Sequence, residues 1–390
     1  MSDLKDTLLT LKVGGKIYAG WKSVNVRQSM EQIAGTFELS VTERWPSQPT
    51  EWSIPPGEFC EVFIGEDPVI AGYVDAVAVS YDAGSHNIRV TGRDRTGDLV
   101  DCTAPTTAFS GLRFAQIAEK LITPYGITLF DETVGGKRLT LRDKKQGKKS
   151  AAPKRARVGA HVPKQATQCG ESVFKTLEKI ARSEGVLLVS DAEGGLLITR
   201  AGLAGDCSTQ LKFGDNILRA SFEHSHANLF SEISVKGQAS AAGAGKFDVS
   251  HSAPKGVVKR TKAASVGNSQ IARYRPLELV AETQADAKRC QQRAEWEASN
   301  REAKARKISV TVQGWRQLDG DLWRINQRVR VTCPWMRVDE WWLVAAVAFA
   351  LDDSGSLTEL TLVGKNAFDL LPEIPAAAGA GGKFNVTGKQ

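Results

Sequence analysis

Two stretches of this 390-residue sequence, 69–94 and 341–366, repeat one another as a pair of amphipathic strands. Apolar positions of the first strand recur at an offset of 270, and those of the second strand at 272. The matched pairs are Val74 with Val344, Val77 with Val347, Val79 with Phe349, Ile88 with Leu360, and Val90 with Leu362. The difference between the offsets predicts a turn two residues longer in the second hairpin. Such a repeat predicts two copies of one β-barrel, although two unrelated amphipathic hairpins would also align in this way.

Strand-like alternation of apolar and polar residues covers most of residues 7–93 and 308–364. Between these regions the apolar spacing becomes helical at 111–122, with Ser110 as a candidate N-cap, and again at 171–184. Each of these two helices is followed by a glycine and a strand. The middle of the chain is therefore predicted to be a small α/β domain.

A longer helix is predicted over 283–306, with Thr283 as its N-cap, and its mostly alanine apolar face favours packing on a sheet. The predicted fold class is α+β and mainly β: two similar antiparallel β-barrels, a small α/β domain and a long helix packed on a sheet. The predicted domains are a first barrel (1–103), the α/β domain (104–205) with a basic insertion (142–164), strands with a second basic loop (236–262) and the long helix (206–307), a second barrel (308–371) and a flexible tail (372–390).

Positive charge is concentrated in the two basic segments. Of the net charge of +7, residues 142–164 carry +8 and residues 236–262 carry +5, so the rest of the chain has a net charge of −6. Both segments are rich in Gly, Ala, Ser and Pro, which predicts long loops. The first supplies a candidate contact to a polyanion or an acidic partner, through Lys144, Lys145, Lys148, Lys149, Lys154, Arg155 and Arg157. A solvated insertion or an acidic protein partner is favoured over nucleic acid, because interleaved aromatic residues are missing.

Residues that would indicate catalysis are few. His224 and His226 share one face of a strand, but no third metal ligand stands at a useful spacing. Asp94, Asp98 and Asp101 would suit the acid and nucleophile of a glycosidase, although the flanking arginines favour charge pairing at a strand exit. No nucleotide-binding or hydrolase motif occurs. The sequence therefore predicts a protein that is not an enzyme and that needs no cofactor and no metal.

Two further features of the sequence concern the cellular compartment of the protein. The six cysteines are scattered, and we expect reduced thiols in a cytoplasm. No apolar run approaches the roughly 18–20 residues of a membrane span, and the first residues lack the pattern of a signal peptide. We expect no membrane span.

Tryptophans cluster near the second hairpin: six of the nine lie between 296 and 342. Trp341 and Trp342 are adjacent in a predicted strand, so they point to opposite sides of it. One is expected in the core. The other is a candidate interface residue, or is covered by a helix of the same chain. These features favour a structural or interaction protein.

Taken together, two motifs resemble a known family. The strand exit VTGRDRTGDLVDC at 90–102 and the segment ESVFKTLEKIARSEGVLLVSDAEGGLLITR at 171–200 resemble the phage Mu-like baseplate hub proteins of contractile tails, which are related to the N-terminal part of secretion-system spike proteins. The resemblance runs from about residue 5 to residue 370. The two basic segments and the tail have no match in it.

The resemblance implies a homotrimeric ring in which two barrels per chain give pseudo-six-fold symmetry. Such a ring adapts the six-fold tail tube to the three-fold central spike and leaves a channel for the genome. Its implied partners are the spike protein, the tail tube and other baseplate proteins, with transient passage of DNA. Its implied location is the virion tail baseplate, assembled in the host bacterial cytoplasm.

An envelope glycan-acting enzyme or binding module on a β scaffold, with its site at Asp94 and Asp98, is the alternative. The duplicated barrel separates the two hypotheses, because a hub needs it and a glycosidase does not.

Overall fold

The structure is a computed structural model, and it describes residues 8–42, 54–82, 86–133, 165–238, 255–259, 271, 273–284, 287–365 and 367–368. Strands dominate, which confirms the mainly β prediction.

Twenty-one strands and four α-helices follow one another along the described residues. The strands are β1 (Leu9–Val13), β2 (Lys16–Tyr18), β3 (Ser23–Ser29), β4 (Thr36–Thr42), β5 (Phe59–Ile64), β6 (Asp67–Tyr81), β7 (His86–Asp94), β8 (Ala108–Phe109), β9 (Leu129–Asp131), β10 (Gln165–Ala166), β11 (Leu187–Ser190), β12 (Leu196–Thr199), β13 (Leu211–Lys212), β14 (Ile217–His224), β15 (Glu232–Gln238), β16 (Lys255–Lys259), β17 (Pro276–Gln284), β18 (Arg306–Gln313), β19 (Arg328–Cys333), β20 (Val338–Asp352) and β21 (Gly355–Gly364). The helices are α1 (Gly97–Asp101), α2 (Phe114–Ile122), α3 (Val173–Glu184) and α4 (Ala287–Ala305), with short 3-10 helices at Thr123–Tyr125 and Pro334–Met336.

One 13-stranded sheet joins the two ends of the chain. Its order is β14-β18-β21-β20-β3-β4-β7-β6-β5-β1-β2, and β19 and β13 branch from β20. The sheet contains two equivalent sets of strands, β3-β4-β7-β6-β5 and β14-β18-β21-β20-β19. Strands β20 and β3 pair with each other and so join the two sets edge to edge. Closure of either set into a barrel of its own stays a prediction.

The backbone pairing shows that the two hairpins are copies. Val77 pairs with Val90, and Val347 pairs with Leu360, so both strands share the offset of 270. A register shift follows Val74 in the first hairpin and Val344 in the second, again 270 residues apart. The apolar pattern does not encode this shared irregularity, which favours two copies over a chance likeness.

The prediction of a longer second turn is wrong. Tyr81 pairs with His86 and Leu351 pairs with Ser356, so the two turns have the same length. Strand side chains alternate with a period of two, and a slide of two residues leaves each side chain on its own face. An apolar pattern therefore does not distinguish the offsets of 270 and 272.

A single core fills the space behind both strand sets. The largest buried cluster contains Leu39 and Val90 of the first set together with Val310 and Leu360 of the second set. Trp315 is 1% exposed in this core, and its ring nitrogen donates hydrogen bonds to the carbonyls of Ala350 and Leu357. The two sets thus form one packed body in the described part of the chain.

The region predicted to be α/β contains three paired strands and two helices that both begin later than their apolar patterns suggest. Helices α2 and α3 pack together, and β12 pairs antiparallel with β11 and parallel with β9. Helix α2 begins at Phe114 with Arg113 as its N-cap, so the predicted start at 111 and the Ser110 cap are wrong. Gly111 has a φ of +65°, outside the helical region, which explains the later start. Ser172 caps α3 by accepting a hydrogen bond from the Lys175 amide.

Helix α4 packs on the small sheet β16-β15-β17, as predicted for the long helix. The predicted start at Thr283 is wrong, because Thr283 belongs to β17 and the helix begins at Ala287. The predicted bounds of the second basic loop, 236–262, are also too wide. Residues 236–238 and 255–259 are strand, and Lys236 pairs with Glu278 at 2.7 Å.

Candidate assembly surfaces

Trp342 is a core residue that holds the edge strand β14 in place. It is 1% exposed, and its ring stands edge-on to Phe222 with 6.3 Å between the ring centroids. The Arg306 guanidinium lies 5.0 Å from the Trp342 ring, and it donates a hydrogen bond of 2.5 Å to Glu340. A cation over an indole face stabilises both groups. Trp342 therefore cannot be a free interface residue.

Trp341 lies on the opposite side of β20 and is 40% exposed, as strand alternation predicts. It stands across from Arg330 of β19, and Arg330 itself pairs with Asp339 at 3.0 Å. Trp335, in the 3-10 helix between these strands, is 87% exposed. The interface role of Trp341 stays a prediction, and Trp335 adds a second exposed indole near the same hairpin.

An ion pair connects the two strand sets. Arg316, which follows β18, lies 2.6 Å from Asp67 and donates a second hydrogen bond to the Ile64 carbonyl. Both charged side chains are only about one-fifth exposed. The segment after β18 therefore fastens the second set to the β5–β6 hairpin of the first.

Strand β14 and the outer half of β6 lie at edges of the large sheet within the described residues. Strand β14 has one described neighbour, β18, and it alternates between half-buried and exposed residues. Beyond the register shift at Val74, β6 pairs with β7 alone within the described residues. Val79, in this outer half of β6, is 67% exposed. Sequence reasoning missed these edges, because alternation predicts a strand but not its neighbours.

Asp94 is buried at the exit from the first strand set. One carboxylate oxygen accepts a hydrogen bond from the Gly35 amide at 2.5 Å, and the other accepts bonds from the Thr96 amide and hydroxyl at 2.9 and 2.5 Å. Burial raises the pKa of Asp94 to about 6, against the hydrogen bonds that lower it. The side chain thus ties together the loop before β4 and the turn after β7.

Asp101 takes part in a surface charge pair. Arg93 bridges Asp75 at 2.9 Å and Asp101 at 2.8 Å. Together with the hydrogen-bonded Asp94, this arrangement fits charge pairing at a strand exit, the simpler of the two interpretations of this acidic cluster.

His224 and His226 stand close together at the end of β14, with 5.0 Å between their ring centroids. Burial, His226 and Arg306 lower the pKa of His224. Within the described residues, no group of three His, Cys, Asp or Glu side chains is placed to hold a metal ion. All six cysteines are described, and no disulfide links any of them.

The first basic segment cannot be placed. Its candidate contact residues, Lys144, Lys145, Lys148, Lys149, Lys154, Arg155 and Arg157, lie outside the described residues. Among the helices that are described, none is long and apolar enough to cross a membrane.

Comparison with known families identifies the class. Residues 8–94 match the model of the N-terminal domain of Mu phage baseplate assembly protein GpP-like proteins, and residues 286–371 match that of the fourth domain of GpP. Residues 96–152 and 153–200 match the second domain of gp44-like baseplate hub proteins. The chain is therefore a phage tail baseplate protein.

Individual relatives narrow the class further. The chain is 33% identical over 364 residues to the baseplate hub protein gp44 of Escherichia phage Mu, covering 92% of this chain and 88% of gp44. It therefore belongs to the family of Mu-like baseplate hub proteins. The 43 kDa tail protein of prophage MuSo2 from Shewanella oneidensis is 32% identical, with a TM-score of 0.75 over 93% of this chain and 100% of that one. A tail protein from Neisseria meningitidis MC58 shares the fold at 22% identity, with a TM-score of 0.72 over 93% of this chain and 98% of that one.

Proposed function

We propose that three copies of this chain form a ring that adapts the six-fold tail tube to the three-fold central spike. One observation carries the proposal: each chain contains two copies of one strand set, alike in pairing, turn length and register shift. Three chains with two such copies present six similar surfaces around one axis. Each set would form one barrel-like lobe of the ring.

The connections at the two ends of the strand sets differ in a way that supports the adapter role. At one end, the β6–β7 and β20–β21 turns have matched lengths in the two sets. At the other end, β3 and β4 are joined by residues 30–35, whereas β14 and β18 are joined by residues 225–305, which include α4. The matched end suits a six-fold partner, the tail tube. The unmatched end repeats once per chain and suits the three-fold spike.

The face of the large sheet that points away from the core would suit the wall of a genome channel. This face carries small residues such as Ala78, Ser80 and Ala348. Its exposed charges have both signs, and Arg89 is paired with Glu38 at 3.2 Å. A mixed face does not hold DNA through a series of phosphate contacts, so it would let a polyanion pass. We place the assembly of the ring in the host cytoplasm, before it joins the other baseplate proteins.

The spike partner is supported by the structural likenesses. A type VI secretion component of E. coli shares the fold at 9% identity, with a TM-score of 0.51 over 94% of this chain and 80% of that one, and it is described as similar to the phage T4 tail proteins gp27 and gp5. In our proposal, the exposed Trp341 and Trp335 contribute to the contacts with a baseplate partner. The basic residues from Lys144 to Arg157 contact an acidic protein surface in the same assembly.

Light scattering on the purified chain tests the ring. A mass near three times 42.2 kDa, equal at low and high salt, is expected. A mass of 42.2 kDa that persists when the spike partner is added would contradict the proposal, because the chain would then neither form a ring nor bind the spike.

A further inference from the structure

Two histidines stand side by side where β14 ends. His224 is the last residue of β14 and His226 follows two positions later, so both side chains project from the same face of the extended chain. Their ring centroids are 5.0 Å apart, with an angle of 66° between the ring planes. Both residues are exposed, so an ion from the solvent can reach both imidazoles at once.

The separation of the two rings fits one shared metal ion. A zinc ion lies about 2.0–2.1 Å from each imidazole nitrogen that binds it. On a tetrahedral ion, this distance places the centroids of two imidazoles roughly 5 Å apart. The observed separation of 5.0 Å therefore allows both rings to bind one ion without a movement of the backbone.

The backbone is fixed at both histidines. His224 pairs with Arg306 of β18, and the Arg275 guanidinium donates a hydrogen bond of 3.1 Å to the His226 carbonyl. The two imidazoles are thus held close to each other before any ligand binds. Such preorganisation lowers the entropic cost of binding.

The charged groups around the pair are compatible with a bound cation. Burial, His226 and Arg306 lower the pKa of His224, whereas Glu302 raises it. The lowered pKa favours the neutral imidazole, which is the form that binds metals. The positive charge of Arg306 is paired with Glu340 at 2.5 Å, which reduces its repulsion of a metal cation.

We propose that His224 and His226 together bind one divalent transition-metal ion of the class of Ni²⁺, Cu²⁺ and Zn²⁺. Imidazole suits these metals, whereas Mg²⁺ and Ca²⁺ prefer oxygen ligands. Within the described residues, no group of three His, Cys, Asp or Glu side chains surrounds the site, so water completes the coordination. The bound ion is therefore exchangeable, unlike that of a structural zinc site with four protein ligands. The site lies within one chain and does not depend on the proposed ring.

Calorimetric titration of the untagged chain with nickel chloride tests the site. The wild-type chain is expected to bind Ni²⁺, and His224→Gln and His226→Gln should each weaken binding by at least about tenfold. His86→Gln, which removes a histidine at the start of β7, is the matched control and should leave the affinity unchanged. Circular dichroism shows whether each variant folds.

A variant with a shifted histidine tests the shared face. Ser225→His/His226→Gln keeps the number of histidines but places the two rings on opposite faces of the extended chain. It should bind Ni²⁺ as weakly as His226→Gln alone. Binding as tight as that of the wild type would overturn the site, because histidine content and not the shared face would then set the affinity.

Electron paramagnetic resonance of Cu²⁺ on the wild-type chain needs no variant to fold. The exposed thiols of Cys102 and Cys169 are alkylated first, and Cu²⁺ is added below one equivalent. The spectrum should show two imidazole nitrogens bound to one copper ion. A spectrum with fewer than two, a wild-type chain that does not bind Ni²⁺, or binding that persists in either single variant would overturn the proposal.

Discussion

Val79 and Phe349 occupy equivalent positions 270 residues apart, yet Val79 is 67% exposed and Phe349 is 1% exposed. Phe349 pairs with Val26 of β3 and packs edge-on against Trp315, with 6.5 Å between the ring centroids. Val79 lies beyond the register shift, where β6 pairs with β7 alone within the described residues. The two equivalent side chains thus differ in what covers them.

The difference predicts unequal costs for truncating these two side chains. Phe349→Ala should lower the free energy of unfolding by roughly 3–5 kcal/mol, because it opens a cavity in the core. Val79→Ala should change it by less than about 0.5 kcal/mol when measured at dilutions where the chain is monomeric. Urea titrations followed by circular dichroism measure both values. Equal losses would show that Val79 is buried within its own chain.

The adjacent tryptophans should behave in opposite ways. Trp342→Ala should cost roughly 3–5 kcal/mol of unfolding free energy, since it removes the ring that packs on Phe222 and Arg306. Trp341→Ala should cost less than about 1 kcal/mol, because its side chain is partly solvated. If Trp341 is an interface residue, its variant should bind baseplate partners more weakly in a pull-down at unchanged stability. Unchanged partner binding would remove Trp341 from the interface.

Asp94 should make the stability of the folded chain depend on pH. Its folded pKa of about 6 lies above the unfolded value of 3.8. The carboxyl group therefore binds its proton more tightly in the folded chain. Its stabilising contribution is fully present below 3.8 and is lost as the pH rises through about 6.

The Asp94→Asn variant isolates this contribution. Between pH 7.5 and pH 5, the unfolding free energy of the wild type should rise relative to that of the variant by about 1 kcal/mol, given roughly 1.4 kcal/mol per pH unit below the folded pKa. Urea titrations across this range measure the difference, in which the other titrating groups cancel. A difference that is flat with pH would mean that Asp94 titrates as it does in the unfolded chain.

The Arg316–Asp67 ion pair between the strand sets should contribute more to the free energy of unfolding than a surface ion pair does. Arg316→Ala should cost about 1–3 kcal/mol, because it leaves the half-buried Asp67 carboxylate and the Ile64 carbonyl without this donor. Arg330→Ala, which removes a more exposed pair with Asp339, should cost less than about 1 kcal/mol. Thermal unfolding of the two variants compares these costs. Similar values would contradict a role for Arg316 in fastening the sets together.

Much of the fold could be predicted from the sequence, because period-two and helical patterns record burial directly. The hairpin repeat and the α/β region were found in this way. The turn length was not, since the apolar pattern is unchanged by a slide of two residues. The N-caps predicted at Ser110 and Thr283 are wrong, because a serine or threonine before an apolar run is only one requirement for a helix cap. The neighbour of each strand was beyond sequence reasoning, and the open edges depend on those neighbours.

End-on electron micrographs of the assembled particle test the proposed ring most directly. We expect a three-chain ring with six similar lobes on the face formed by the β6–β7 and β20–β21 turns, and three larger features on the opposite face, where α4 and the sheet β16-β15-β17 lie. A ring with six equal features on both faces, or a particle without three-fold symmetry, would contradict it.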